Sequence, residues 1–256
     1  MDDKNTLESA VRILVLGKYQ LDYELANFSN NASLLDKFLR YCKGLSNPNK
    51  CWTLPRKLYT PSISPLEFVK FALPFSKVSH SLNGCIEEID PFLVLGGTFK
   101  VYKESNEGVF EKIERLNGLP DKSSLDEERI NHVACYCKIG SLPLYIACEG
   151  KNRVLMYQSV KRPVRAIVTQ TGFPEPEELI LHPILPFNLY AISCSNSRFY
   201  ENIPQGMIIL PFHELILPLL NCYGVKVGNP IFSIRALYDW RSLRKTVAST
   251  FLGEDV

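Results

Sequence analysis

The stretch Leu144-Tyr145-Ile146-Ala147-Cys148-Glu149-Gly150-Lys151-Asn152-Arg153, continued by Tyr157-Gln158 and Val164-Arg165-Ala166-Ile167-Val168, decides how this chain is read. Residues 144–148 form an apolar run of strand length. Gly150 ends it, because a residue without Cβ accepts the dihedrals of a tight turn. Val154, Leu155, Tyr157 and Gln158 then suit one or two helical turns, and residues 164–168 return as a strand. The unit is strand, glycine turn, short helix, strand.

Charge is distributed unevenly around that turn. From Lys151 to Gly172 there are five basic residues, Lys151, Arg153, Lys161, Arg162 and Arg165, and no acidic one, in a chain whose formal net charge is only +2. A helix beginning near Asn152 leaves the backbone N–H groups of its first turn unpaired, and these groups with Lys151 and Arg153 would converge on a volume that suits a phosphate. Arginine contributes a planar fork for two phosphate oxygens and lysine a point charge. The plainer reading makes Lys151 and Arg153 solvated residues at an exposed helix start.

These residues resemble the core of the ParB/sulfiredoxin-like fold, whose order is strand, Gly-x-x-Arg, short helix, strand. The resemblance covers residues 144–168. It implies that Gly150 and Arg153 contact the phosphates of a nucleotide, with Lys151 and Asn152 at the variable positions between them. Sulfiredoxins carry a catalytic cysteine two residues before that arginine. Lys151 stands there in this chain, and Cys148 precedes the turn, so sulfiredoxin activity is not expected.

Glu149 is the one acid beside this turn, and would either hold a magnesium ion with a bound phosphate, act as a base in phosphate-ester hydrolysis, or pair with its own basic neighbours. A nucleoside triphosphate with magnesium is the cofactor such a site would take. Lys161, Arg162 and Arg165, with Arg241, Arg244 and Lys245 on a C-terminal helix, could follow a nucleic-acid backbone; for the second group a solvated helix face with cations near its end is the commoner explanation. His132, Cys135, Cys137 and Cys148 include zinc-ligand types, but alternation puts Cys135 and Cys137 on one strand face and His132 on the other, so no metal site is assigned. The histidines at 80, 132, 182 and 213 lie in no recognisable catalytic motif, and the sequence does not support triad chemistry.

Outward from the turn, Asn5 and Glu8 have capping-box spacing, and Leu7, Val11, Leu14 and Val15 make a helical stripe. A first helix is expected there, although the run 12–16 also has strand composition. Asn31 or Ser33 would cap a second helix with the stripe Leu34, Leu35, Phe38, Leu39 and Cys42. Prolines 48, 55 and 61 mark a connecting loop, and Ser64-Pro65-Leu66-Glu67 opens a short helix. Residues 91–102 have strand composition on both sides of Gly96-Gly97, as a bent strand or hairpin would; the pair lacks the lysine of a phosphate-binding P-loop. A helix is expected over 109–116, strands over 132–138 and 189–193, and a helix over 212–223 interrupted by Pro218. A last helix over 234–251 carries Leu237, Trp240, Leu243, Val247 and Phe251.

Composition bounds the rest. The 256 residues are 46% hydrophobic and 22% charged, as in ordinary globular proteins. No window approaches the roughly 20 apolar residues of a membrane span. The start Met1-Asp2-Asp3-Lys4 lacks the features of a secretory signal, so a cytoplasmic protein with no membrane partner is expected, its eight cysteines being buried thiols.

The resulting expectation is an α+β fold with a helical N-terminal region over 1–60 and, over 61–256, a small mixed sheet of ParB/sulfiredoxin-like type with C-terminal helices. Functionally it is a ParB-like protein of DNA transactions, from a mobile element, plasmid or defence locus, that binds nucleotide or nucleic-acid phosphate at the 150–153 turn. A nucleotide hydrolase or nuclease would be the enzymatic version. The alternative is a non-catalytic scaffold whose C-terminal region, Ile208-Ile209-Leu210-Pro211-Phe212 and Trp240, binds a protein partner.

Overall fold

The computed structural model describes residues 3–31, 63–78, 84–97, 108–118, 133–151, 153–199, 207–234, 236, 238–240 and 242–243. The fold is α+β, and the described residues form two sheets with helices on their faces. No helix among the described residues is long and apolar enough to cross a membrane.

Helix α1, Asp3–Asn31, takes in the run 12–16 that also suited a strand. Burial decides the period: Val11, Leu14 and Val15 are inside, while Ile13 and Leu16 are 53% and 58% exposed, which fits a turn of 3.6 residues and not alternation. Asn31 is the last residue of α1; Ser33, the stripe from Leu34 to Cys42 and the prolines 48, 55 and 61 lie outside the described residues. Helix α2, Pro65–Ala72, starts with proline in its first turn, as expected.

The first sheet contains β1 (Cys85–Ile89), β2 (Val94–Leu95), β3 (Ala134–Ile139), β4 (Tyr145–Glu149) and β5 (Val164–Thr171), in the order β1-β5-β3-β4-β2. β3 is antiparallel to β4 and parallel to β5, and β2 is parallel to β4. Helix α3, Val109–Asn117, precedes β3, and α4, Arg153–Val160, joins β4 to β5. The strand, turn, helix, strand order is therefore observed. Residues 91–97 differ from expectation. Pro91–Leu93 is a single 3-10 turn capped by the Asp90 carboxylate on the Phe92 N–H at 2.9 Å, which leaves only two residues of strand before Gly96. Residues 98–102 lie outside the described residues.

The second sheet contains β6 (Leu179–Leu185), β7 (Leu189–Cys194), β8 (Met207–Ile209), β9 (Lys226–Val227) and β10 (Ile231–Phe232). β6 has β7 on one side and both β9 and β10 on the other. Sequence patterning missed β6 because Pro183 lies within it, and a proline cannot donate to a ladder. Its position explains the tolerance: β9 pairs with residues 180–181 and β10 with 184–185, so Pro183 faces the gap between them. Helix α5, His213–Tyr223, continues through Pro218 instead of breaking there, and ends on Gly224 in the left-handed conformation.

Three apolar clusters hold these layers together. The largest lies between the sheets and collects Val11 and Leu14 of α1, Phe68 of α2, Cys137 and Ile146 of the first sheet, Leu181 and Ile192 of the second, and Leu219 of α5. A second fills the other face of the first sheet beneath α3 and α4, with Ile113, Tyr136, Val154 and Tyr157. The third covers the second sheet's outer face with Ala236 and Trp240, in a segment whose described residues 236, 238–240 and 242–243 are helical.

The buried stripe of α1 ends in charge. Lys18 and Asp22 are both 0% exposed, with Lys18 Nζ 2.5 Å from Asp22 Oδ2 and 2.8 Å from the Gly96 carbonyl oxygen. Asp22 Oδ1 accepts the Ile63 N–H at 2.8 Å. Burial lowers the affinity of the Lys18 amine for its proton, and the Asp22 charge opposes that. Removing one partner leaves the other charged and unpaired, so Asp22→Ala is expected to cost about 3–5 kcal/mol in urea unfolding. The double substitution Lys18→Met/Asp22→Leu is expected to lose clearly less than the sum of the two single changes.

Candidate functional site

β2 and β4 run parallel with Leu95 opposite Ile146, and the chain leaving β2 brings Gly96-Gly97 against Lys151 beyond the end of β4. The Gly97 N–H donates to the Lys151 carbonyl oxygen at 3.3 Å. A Cβ at Gly96 would stand 2.6 Å from the Tyr19 hydroxyl and 3.2 Å from the Lys151 carbonyl oxygen, so a side chain there would drive the two strand ends apart. Gly150 itself has φ +75°, a conformation that L side chains rarely adopt. The turn is closed by the Arg153 N–H on the Gly150 carbonyl oxygen at 2.9 Å.

Helix α4 is held from two sides. The Tyr157 hydroxyl donates to Asn117 Oδ1 at 2.8 Å, at the end of α3, and Gln158 Nε2 donates to the Pro91 carbonyl oxygen at 2.8 Å. These bonds fix the direction in which the first turn of α4 points its N–H groups.

The two cations of the turn lean to opposite neighbours. Lys151 is half-buried with its stem along Gly97 on the β2 side, whereas the Arg153 stem folds over Gly150, whose neighbour on the β3 side is Ala134. The two stems thus lean apart instead of converging as expected. Burial lowers the proton affinity of the Arg153 guanidinium, which lies in the field of the Tyr136 and Tyr157 phenols and of Arg115. Desolvation pushes Tyr157 up to about 12, and Arg153 pulls against it. Beneath them the Tyr136 hydroxyl is buried and has no hydrogen-bond partner among the described residues.

Glu149 is exposed at the end of β4, and among the described residues it makes no ion pair, Lys151 and Arg153 included. Lys161 and Arg162 are exposed in the turn that ends α4, with Lys161 at φ 53°. Arg165 is exposed on β5 and donates to the Asn117 carbonyl oxygen at 3.0 Å. Asn152, Arg241, Arg244 and Lys245 lie outside the described residues. Of the residues named for a protein partner, Leu210 and Phe212 belong to the central core, where Phe212 packs on Phe68 with ring centroids 5.0 Å apart, Pro211 is buried and Trp240 is 2% exposed, whereas Ile208 and Ile209 on β8 are half-buried.

Cys148 points into the central core, and burial with the neighbouring Cys137 and Cys135 pushes its thiol up to about 11. Such a thiol carries almost no thiolate at neutral pH, so it is no substitute for an activated cysteine at the turn. Among the described residues no group of three His, Cys, Asp or Glu side chains could hold a metal ion.

Arg115, Asn117 and Tyr136 were not singled out in the sequence. Asn117 and Tyr136 carry no local motif, and Arg115 is one cation in a charged segment. Lys18 and Asp22 did carry a signal, since they extend the stripe Val11, Leu14, Val15 at helical spacing with charged residues.

Comparison with protein-family models, curated proteins and solved structures returns no significant match for this chain. The resemblance to the ParB/sulfiredoxin-like fold is therefore one of local residues and their order alone. Gly150→Ala should test the geometry of the turn: it is expected to lose about 1–2 kcal/mol in denaturant unfolding, because the new Cβ sits in a left-handed residue and 3.2 Å from Ala134 Cβ. A loss near zero would show that the turn relaxes freely.

Proposed function

We propose that this is a cytoplasmic ParB-like protein of DNA transactions that binds the phosphates of a nucleotide or nucleic acid at the 150–153 turn. The observation that carries the reading is the left-handed Gly150 at the carboxyl end of β4, followed at once by Arg153 at the start of α4. An anion there would meet the N-terminal end of a helix whose dipole favours negative charge, with the basic side chains of Lys151 and Arg153 on the same turn. Lys161, Arg162 and Arg165 follow on exposed positions and extend the positive field along the chain, as contact with a nucleic-acid backbone would require.

Binding is the function proposed; hydrolysis would add Glu149 and a ligand-borne magnesium ion at the same turn. The test is thermal unfolding of wild type and Arg153→Ala with nucleoside triphosphates, with and without magnesium, and with single- and double-stranded DNA. A ligand at 100 times its dissociation constant stabilises the folded state by about 2.7 kcal/mol. Wild type is expected to show such a shift with at least one of these ligands, weakening as salt is raised, and Arg153→Ala to lose it while keeping the ligand-free melting temperature within a few degrees. No shift with any ligand, or one that Arg153→Ala retains in full, would overturn the assignment.

A further inference from the structure

The second sheet carries a pair of side chains in the arrangement of a serine nucleophile and its base. β6 and β7 are antiparallel with Ile180 opposite Ser193 and His182 opposite Ala191, which makes His182 and Ser193 diagonal neighbours on one face. His182 Nε2 and Ser193 Oγ are 2.9 Å apart. The other ring nitrogen, Nδ1, faces the Asn229 carbonyl oxygen at 3.4 Å, where the chain passes between β9 and β10. A carbonyl only accepts, so this contact places the ring proton on Nδ1 and leaves the Nε2 lone pair to the Ser193 hydroxyl. That is the tautomer in which a histidine takes a proton from a serine.

The surroundings suit an acyl group. Both residues are half-exposed. Ser193 is flanked in register by Ile180 on β6, which is 40% exposed, and by Met207 on β8. The same face continues through Ala191 to the cluster around Trp240. With a carbonyl rather than a carboxylate behind the ring, the pair is a dyad, which holds the tautomer but stabilises the charged imidazolium less than an acid would.

We propose that Ser193, with His182 as its base, is a nucleophilic site for esters of short apolar acids, independent of the phosphate turn. Ser193 Oγ attacks the ester carbonyl carbon while His182 Nε2 takes the hydroxyl proton. The bond to the alcohol oxygen then breaks and the alcohol leaves with that proton. Water, deprotonated by the same nitrogen, releases the carboxylic acid and restores the serine.

The experiment treats the whole chain with an alkyl fluorophosphonate, which loses fluoride to a serine nucleophile and leaves a stable phosphonyl ester, and maps the adduct by mass spectrometry of proteolytic peptides. Native wild type is expected to gain one adduct, on Ser193, at a rate at least ten times that of His182→Gln, whose amide can still bond Ser193 but takes no proton. Heat-denatured wild type is expected to stay unlabelled. No adduct on Ser193 in native wild type overturns the proposal without recourse to any variant. So does labelling that survives denaturation, or labelling of His182→Gln at the wild-type rate.

Discussion

The buried ion pair of Lys18 and Asp22 is the constraint on which the arrangement around the turn depends. An ammonium and a carboxylate sealed from water are tolerable only when each is paired and its remaining hydrogen-bonding capacity is used. Here Lys18 also reaches the Gly96 carbonyl and Asp22 also accepts the Ile63 N–H, so the pair joins α1 to the approach to α2 and to the end of β2. Gly96 is followed by Gly97, whose N–H bonds the Lys151 carbonyl. A continuous chain of polar contacts thus runs from the N-terminal helix to the glycine turn. Apolar residues could fill the same space, but they would not dictate which carbonyl the helix meets.

Around that chain the layers define where the turn lies. The central core is shared by α1, α2, both sheets and α5, so α1 packs as part of the same body as the sheets. On the far side of the first sheet, α3 and α4 pack side by side, and the bonds of Tyr157 to Asn117 and of Gln158 to Pro91 fix the start of α4 over the ends of β2 and β4. Parallel strand ends, a left-handed glycine and a helix start coincide there. This places the positive end of a helix dipole and two basic residues on one turn.

Local signals were the legible part of the sequence. The glycine at 150, the short helix after it, the proline at the start of α2 and the helix over 109–116 could each be read within a window of a dozen residues, because each depends on neighbours in the chain. What escaped depends on distant partners. β1 reads Cys-Ile-Glu-Glu-Ile and shows four exposed residues of five; it exists through its pairing with β5. β6 is a strand despite Pro183 because β9 and β10 leave a gap opposite it. The opposite leanings of Lys151 and Arg153 follow from β4 having β2 on one side and β3 on the other, a fact of topology. The pairing of His182 with Ser193 arises only when β6 and β7 align, and no sequence motif announces it.

The central claim is that the buried pair orders the turn, and hydrogen–deuterium exchange resolved to the backbone tests it most directly. In Lys18→Met, amide exchange is predicted to accelerate at Gly97, whose N–H bonds Lys151, and over residues 153–157, while the β6–β7 ladder keeps its wild-type protection. Unchanged protection at Gly97 and 153–157 in a folded Lys18→Met protein would contradict the account.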